Sequence, residues 1–183
     1  MPGIGKFKIM LLKAPGRLVA AVILLLTLLQ SGNAQEMQLS SPVFTNGKPI
    51  PARQAYHNQN LSPALIIENV PGGTHALALI VDDPTAPGGT WNHWLVWNIA
   101  PDTRQIAEGE TPAGAFVGKN DFGQIRYDGP APPSGTHRYF FRLYALNQPL
   151  DLKTGASRQQ LDAALKNHLL ATATLMGTYA SKP

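Results

Sequence analysis

The stretch NDFGQIRYDGPAPPSGTHRYFFRLYAL, residues 120–146, decides the fold of this chain. Three prolines in segment 129–135 fix the backbone φ angle and withhold three backbone donors, so this segment is predicted to be a rigid loop. From residue 138 onward, apolar and aromatic residues occupy both alternating sets of positions, which is typical of a strand contacted on both faces. His137 and Tyr139 would share one face at the start of this strand. An imidazole and a phenol beside a stiff loop indicate a binding site.

Short runs between Gly and Pro residues predict a mostly β body. The clearest predicted strands are residues 65–70, 76–82, 94–100 and 138–146, each bounded by turn residues. The last three of these runs are apolar on both faces, which is expected when a sheet is covered on both sides. The sequence therefore predicts a packed pair of sheets.

Only the C-terminal part shows helical periodicity. Its apolar stripe comprises Leu161, Leu165, Leu169 and Leu175 or Met176, together with His168. Ser157 and Gln160 have the spacing of a capping box at the start of this helix, and Gly177 is predicted to end it. We expect one amphipathic helix, continuous or broken, that lies on the sheets for stability. His168 is expected to be packed there rather than to bind a ligand.

The first 34 residues differ from the rest of the chain in charge. They carry four basic residues, the last of them Arg17, and no acidic residue. Of the 15 Lys and Arg residues, 11 therefore remain for the body of the protein, which equals its 11 acidic residues. A formally neutral body argues against a nucleic-acid binder that works by neutralising phosphates.

The same 34 residues have the organisation of a secretory signal peptide. A basic segment is followed by an apolar run from Leu18 to Leu29 and by small residues at Gly32 and Ala34. Cleavage after Ala34 would leave residues 35–183 as a single exported domain. The apolar run is shorter than the roughly 20 residues that span a bilayer, which disfavours a membrane anchor. Because the chain has no cysteine, a lipid-modified Cys and a disulfide framework are excluded, and the predicted location is periplasmic or secreted.

A second polar segment, DDPTAPGGTWNHW at residues 82–94, separates two apolar runs. Asp83 alternates with Val81 at the end of the first run, so the two side chains should share a face. By the same alternation, His93 is expected on the face of Leu95 and Trp97. Both polar side chains should project where the loop closes.

These segments resemble the signatures of the phosphatidylethanolamine-binding protein family, specifically its bacterial branch of Raf-kinase-inhibitor-like proteins (YbhB/YbcL type). The first signature is similar to residues 83–94 and the second to residues 129–139, and further matches lie at residues 60–63, 118–123 and 176–179. The resemblance covers nearly the whole chain after the leader. It implies a β-sandwich of two packed sheets with short peripheral helices, the main one near the C-terminus.

The resemblance also implies a small anion-binding pocket. Its ligand-binding positions would be Asp83, His93, Pro132, Pro133, His137 and Tyr139, with Trp91 and Ala131 at its edge. The implied ligand is a small phosphorylated or anionic molecule, or a phospholipid headgroup, and no cofactor or metal is implied. Peripheral membrane contact and a homodimer stay open.

Three departures from the usual pattern of the family concern details of this pocket. Thr85 stands where a second acidic residue is usual, and Ala131 stands where Gly or Cys is common. Residues 57–59, His-Asn-Gln, replace the Cys-Asp-Gly of many bacterial relatives. The first departure removes a charge beside the pocket and could alter its affinity for an amine headgroup.

The chemistry of the residues is compatible with an anion ligand. Two imidazoles with pKa values near 6.5 can donate hydrogen bonds to an anion when protonated, and Tyr139 adds a hydroxyl donor. Asp83 would either orient His93 or His137 or meet the ammonium of a headgroup. Phosphate-type ligands should therefore bind more tightly as the pH falls from about 8 towards 6.

Several alternatives stay open beside the anion pocket. The two histidines could be hydrogen-bonded loop residues without a ligand, or could join Asp83 in a metal site, although no closely spaced His pair supports a metal. A hydrolase could use Ser134 with His137 and Asp83, but Ser134 lies in a turn and the chain has no G-x-S-x-G motif. A secreted effector that binds another protein is a third class.

Overall fold

The structure is a computed structural model that describes residues 35–181. The predicted signal peptide, residues 1–34, lies outside the described residues. One turn of 3-10 helix occupies Ala52–Gln54. The strands are β1 (Gln38–Ser40), β2 (Leu65–Glu68), β3 (Ala76–Asp83), β4 (Trp91–Ile99), β5 (Gln105–Ile106), β6 (Phe116–Val117), β7 (Thr136–Leu146) and β8 (Leu169–Ala180), and helix α1 spans Arg158–Leu165.

The strands form two antiparallel sheets. The larger sheet has the order β6-β4-β3-β7-β8, and the smaller sheet has the order β1-β2-β5. Each of the four strands predicted from the sequence corresponds to an observed strand: β2, β3, β4 and β7. This arrangement confirms the predicted mostly β fold with two sheets and a helix near the C-terminus.

The larger sheet is covered on both faces, as its apolar central runs predict. Every residue of β3 is buried. On one face, Val81 belongs to a core cluster that includes Ile67 of the smaller sheet. On the other face, Ile80 belongs to a cluster with Leu161 and Leu165 of α1. The end of β3 therefore points alternate side chains into two different environments.

The C-terminal segment corrects one prediction. Helix α1 ends at Leu165, and the residues expected to continue its apolar stripe form β8, which pairs along the whole of β7. Three threonines in β8 favour an extended backbone, and pairing with β7 satisfies its backbone groups along one side, so the strand replaces the helix suggested by the leucine spacing. Among residues 35–181, no helix is long and apolar enough to cross a membrane.

The start of α1 agrees with its prediction. Ser157 and Gln160 form the reciprocal capping box at the N-terminus of the helix. His168 lies partly buried just before β8, with its Nδ1 atom 3.0 Å from Oδ1 of Asn147. His168 is therefore not packed on a helical stripe as expected, but it does lie away from the polar segments near residues 83 and 137.

Gly177 does not end a helix but allows two segments to pack closely. A Cβ atom at this position would lie 2.5 Å from Cγ1 of Ile50 and 2.8 Å from Cε2 of Phe44. The segment containing Ile50 runs beside β8 at this point, where the Ile50 N–H donates to the carbonyl of Thr178 at 2.8 Å. The prediction that Gly177 stops a helix is therefore wrong, because a strand and a loop meet there without space for a side chain.

Gly177→Ala should destabilise the fold by about 1–3 kcal/mol, since the added methyl group overpacks the contact with Ile50 and Phe44. Urea denaturation measures this change in the free energy of unfolding. Gly72→Ala is the matched control, because Gly72 has no heavy atom within 4 Å of the corresponding Cβ position. Equal free energies of unfolding for the two variants would contradict the close-packing role of Gly177.

Candidate functional site

A cavity of about 280 Å³ opens where the end of β3 meets the starts of β4 and β7. The loop between β3 and β4 supplies residues 86–90 of its wall. The rest of the wall consists of Asp83, Trp91, His93, Phe122, Ala131, Pro133, His137 and Tyr139. The structure thus brings seven of the eight predicted pocket residues into one cavity.

Pro132, the eighth predicted residue, lies in a different wall. It lines a second cavity of about 310 Å³, which shares Ala131 and Pro133 with the first and also includes His57 and Tyr179. The proline loop therefore separates two cavities, and adjacent residues of this extended segment contribute to different ones.

Asp83 and His137 form a buried pair at the cavity. Nδ1 of His137 lies 2.6 Å from Oδ2 of Asp83, and only 9% and 4% of the two side chains are exposed. Oδ1 of Asp83 accepts hydrogen bonds from the backbone N–H and the hydroxyl of Thr85, at 2.8 and 2.6 Å. Because only 4% of the Asp83 side chain is exposed and both oxygens have partners in the protein, Asp83 orients His137 and offers little accessible surface to the ammonium of a headgroup. Thr85, one of the departures noted above, contributes directly to this arrangement.

His93 reaches the same cavity because β4 contains a bulge. Val81 of β3 pairs with Trp94, whereas the next residue of β3, Asp82, pairs with Asn92. His93 is therefore the extra residue, without a register partner on β3. A bulge of this kind re-aims one side chain at the end of a strand without ending the strand.

The bulge changes the face on which His93 lies. Leu95 and Trp97 belong to the core beneath α1, whereas the His93 ring lies 5.2 Å from the Tyr139 ring and 5.5 Å from the Phe122 ring. The prediction that His93 shares a face with Leu95 and Trp97 is therefore wrong. Strict alternation along a sequence cannot reveal an inserted residue, since the insertion reverses the faces beyond it.

The environment of His93 determines which ring nitrogen carries its hydrogen and lowers its pKa. Nδ1 lies 2.7 Å from the carbonyl oxygen of Asp128, and a carbonyl only accepts, so Nδ1 carries the hydrogen and Nε2 is left for the cavity. Burial lowers the pKa of His93 below its ordinary 6.5, although the Asp128 carbonyl and the charge of Asp83 act in the opposite direction. Neutral His93 thus offers an acceptor to a ligand, and it becomes a donor only when protonated.

Tyr139 is a neutral donor of the cavity. Its side chain is buried, and burial together with the charge of Asp83 raises the pKa of its phenol, so the hydroxyl keeps its proton at any ordinary pH. None of the described residues that line the cavity is Lys or Arg. The neutral side chains of the wall that can donate are therefore Tyr139, Trp91 and Thr90, whereas an imidazole donates to the cavity only when its Nε2 atom carries a hydrogen.

A buried carboxylate behind His93 holds the wall in place. Asp128 is completely buried and accepts hydrogen bonds from the side-chain amides of Asn60 and Asn120, at 2.8 and 2.9 Å. Nη2 of Arg126 lies 3.1 Å from the same carboxylate. Because the carbonyl of Asp128 also holds His93, this network fixes both the start of the proline loop and the orientation of the imidazole.

Phe122 is a cavity residue that was not among the predicted site positions. Its ring stacks on Tyr56, with centroids 4.6 Å apart, and meets the rings of Trp91 and His93 nearly edge-on at 5.5 Å. The preceding residue, Asp121, accepts hydrogen bonds from the backbone N–H and the side-chain amide of Asn92 in β4. The sequence offered one signal for this role, an aromatic residue inside the glycine-containing segment 118–123. The role itself becomes visible only in the packing of Phe122 against the rings of Tyr56, Trp91 and His93.

The alternative site residues receive no support from their positions. Ser134 is exposed in the proline loop and is not among the described residues that line the cavity. Within residues 35–181, no group of three or more His, Cys, Asp or Glu side chains is placed to hold a metal ion.

Asp128→Asn should lower the free energy of unfolding by about 1–3 kcal/mol, because an amide nitrogen would then face the donor of Asn60 or Asn120 inside the protein. Asp162→Asn is the matched control, since Asp162 makes an exposed ion pair with Arg158 whose loss should cost about 0.5 kcal/mol or less. Urea denaturation of both variants tests the difference. Similar small losses would show that the Asp128 network does not stabilise the fold.

Nuclear magnetic resonance of the ligand-free protein should show a protonation midpoint for His93 below 6.5, with the hydrogen on Nδ1 at higher pH. The unfolded chain takes up this proton more readily than the native state. The stability that neutral His93 contributes is therefore complete above a pH of about 6.5 and is lost as the pH falls from there towards the native pKa. A midpoint above 6.5, or a hydrogen on Nε2 at pH 8, would contradict this environment.

Comparison with known proteins agrees with the fold and the sequence signatures. Residues 40–180 match the family model described as phosphatidylethanolamine-binding protein. A UPF0098 protein of Methanothermobacter thermautotrophicus is 45% identical over 148 residues, which cover 78% of this chain and 98% of the relative.

Two crystal structures have the same fold. A putative phosphatidylethanolamine-binding protein homologue from Chlamydia trachomatis superposes with a TM-score of 0.77 at 40% identity, covering 80% of this chain and 99% of the homologue. YbcL of E. coli superposes with a TM-score of 0.76 at 30% identity and the same coverage. The chain therefore belongs to the phosphatidylethanolamine-binding protein family.

Proposed function

We propose that this protein is an exported binding protein whose cavity, at the junction of β3, β4 and β7, holds a small phosphate-type anion. The anion could be a free phosphate compound or the headgroup of a phospholipid. The observation that carries the proposal is the convergence of Tyr139, His93 and His137 on one cavity beside a stiff proline wall. A role in regulation would then follow from ligand binding rather than from catalysis.

The size and stiffness of the cavity support a small ligand. A volume of about 280 Å³ lies just below the usual range for ligand pockets, roughly 300–1,000 Å³, so it suits a headgroup rather than a whole lipid. Prolines in the wall and the hydrogen bonds of Asp83 and Asp128 limit the ordering that a ligand must impose. A preorganised wall of this kind favours binding without a large conformational change.

The two sources of the anion differ in what lies outside the cavity. Trp91 lines the cavity and is 39% exposed, so its ring could also rest on the interfacial region of a membrane while a headgroup enters. The name of the matching family refers to phosphatidylethanolamine and supports a headgroup as one source. The absence of Lys and Arg from the described cavity wall argues against attraction of the ligand by strong fixed positive charge.

Tyr139→Phe should weaken the binding of methyl phosphate about 3- to 10-fold, because one hydroxyl donor is lost while the ring remains. Tyr144→Phe is the matched control, since Tyr144 lies on the same strand but packs against the core beneath α1. Titration calorimetry measures both affinities. If neither methyl phosphate nor a phosphodiester headgroup binds the unmodified protein, the proposed function is wrong; equal affinities of the two variants for methyl phosphate would remove Tyr139 from the contact.

Export can be tested through processing of the leader. When the full chain is expressed in a bacterium with a general secretion pathway, N-terminal sequencing of the protein outside the cytoplasm should begin at Gln35. Ala34→Leu should block cleavage at this position, because signal peptidase requires a small residue there. Recovery of the unprocessed chain from the cytoplasm alone would contradict export.

A further inference from the structure

The cavity has an unfavourable fixed charge for an anion site. Asp83 is the one carboxylate among the described residues of its wall, and no guanidinium or ammonium group of that wall offsets it. The other titratable groups that face the cavity are His93, His137 and Tyr139. Asp121 and Asp128 do not line the cavity, but they lie near His93 in the segment that precedes the proline loop. An anion that enters without a proton therefore meets negative charge in a partly enclosed site.

The hydrogen bonds of the two histidines impose a second condition. Nδ1 of His93 is bonded to the carbonyl oxygen of Asp128, and Nδ1 of His137 is bonded to a carboxylate oxygen of Asp83. Both partners accept, so both Nδ1 atoms carry hydrogen. In its neutral form, each ring therefore leaves Nε2 without hydrogen for the cavity. An Nε2 lone pair repels a bare phosphate oxygen but accepts a hydrogen bond from P–OH.

These observations deepen the proposed function and rest on it. We propose that the cavity takes up its oxyanion together with a proton and therefore selects phosphomonoesters over sulfate and phosphodiesters. A phosphomonoester has a second pKa of about 6, so it gains the required proton at little cost near neutral pH, whereas sulfate and a phosphodiester have no group that titrates there. The proton lies between one phosphate oxygen and Nε2 of a histidine, and Tyr139 donates its hydroxyl to another oxygen. No covalent bond of the ligand changes.

The selection distinguishes the two sources of phosphate named above. A free phosphomonoester can bring the proton, but the phosphate of a glycerophospholipid headgroup is a diester and cannot. Glycerophosphoethanolamine represents the lipid source, because it combines a diester with the ammonium group of the headgroup. Only 4% of the Asp83 side chain is exposed and both of its oxygens already accept hydrogen bonds, from His137 and Thr85, so this ammonium should not compensate for the missing proton.

Calorimetry of the protein with four ligands at pH 7 tests the selection. Methyl phosphate should bind about tenfold or more tightly than sulfate, dimethyl phosphate and glycerophosphoethanolamine, as expected for one hydrogen bond to a charged group. Its apparent enthalpy should change with the ionisation enthalpy of the buffer, because a proton is taken up. A smaller preference than tenfold, or an enthalpy that does not depend on the buffer, overturns the inference while the proposed function stands. If none of the four ligands binds, the proposed function itself fails.

Asp83→Asn tests the role of the fixed tautomer. The N–H and hydroxyl of Thr85 both donate to Oδ1, so the variant should keep its amide oxygen there and turn its NH₂ group towards Nδ1 of His137. The ring would then carry its hydrogen on Nε2 and offer a permanent donor to the cavity. Sulfate should bind more tightly than to the unmodified protein, and the preference for methyl phosphate should shrink.

The result that overturns this mechanism is an Asp83→Asn variant in which the preference for methyl phosphate over sulfate is unchanged. His168→Gln is the control, because His168 lies away from the cavity beside Asn147 and its replacement should alter neither affinity. Urea denaturation establishes that each variant is folded. If Asp83→Asn does not fold, the ligand series on the unmodified protein still decides the inference.

Discussion

Two consecutive carboxylates at the end of a completely buried strand are the constraint on which this structure depends. Alternation sends Asp82 and Asp83 to opposite faces of the sheet, and each needs a polar partner because burying an unpaired charge is costly. Asp82 is met by Arg142 of β7 and by Arg158 at the start of α1, each at 3.1 Å. Asp83 is met by His137 of the same strand β7. The end of β3 thus contacts the start of α1 on one face of the sheet and forms part of the cavity on the other face.

The cavity inherits its rigidity from this arrangement. His137 and Tyr139 lie on a long central strand, His93 on a bulge of its neighbour, and the proline loop closes the wall between them. Positions on strands are held more firmly than positions on free loops, so the donors and acceptors keep their geometry before a ligand arrives. Because Asp128 and Asp83 accept the Nδ1 hydrogens, the protein chooses the tautomers rather than leaving them to the ligand.

Much of the fold could be predicted from the sequence, since strands with apolar residues on both faces and a proline loop are local patterns. Seven residues that were predicted from the two signature segments also line the cavity. Three features could not be predicted. The bulge at His93 leaves no local signal, the strand after Leu165 has leucines at helical spacing, and Phe122 acquires its role only by packing against Tyr56, Trp91 and His93. Each of them depends on a partner distant in the sequence.

The sequence by itself determined the class of fold, the stiffness of the loop and the kinds of side chains available to the cavity, because these follow from backbone propensity, proline geometry and the chemistry of single residues. The tertiary structure alone decided the direction of His93, the burial that lowers its pKa, and the pairing that gives each oxygen of Asp83 a partner in the protein. These properties arise from contacts between residues that are 35 and 54 positions apart. Proton positions in such a site depend on which acceptor lies within 3 Å, and no local pattern of residues specifies that distance.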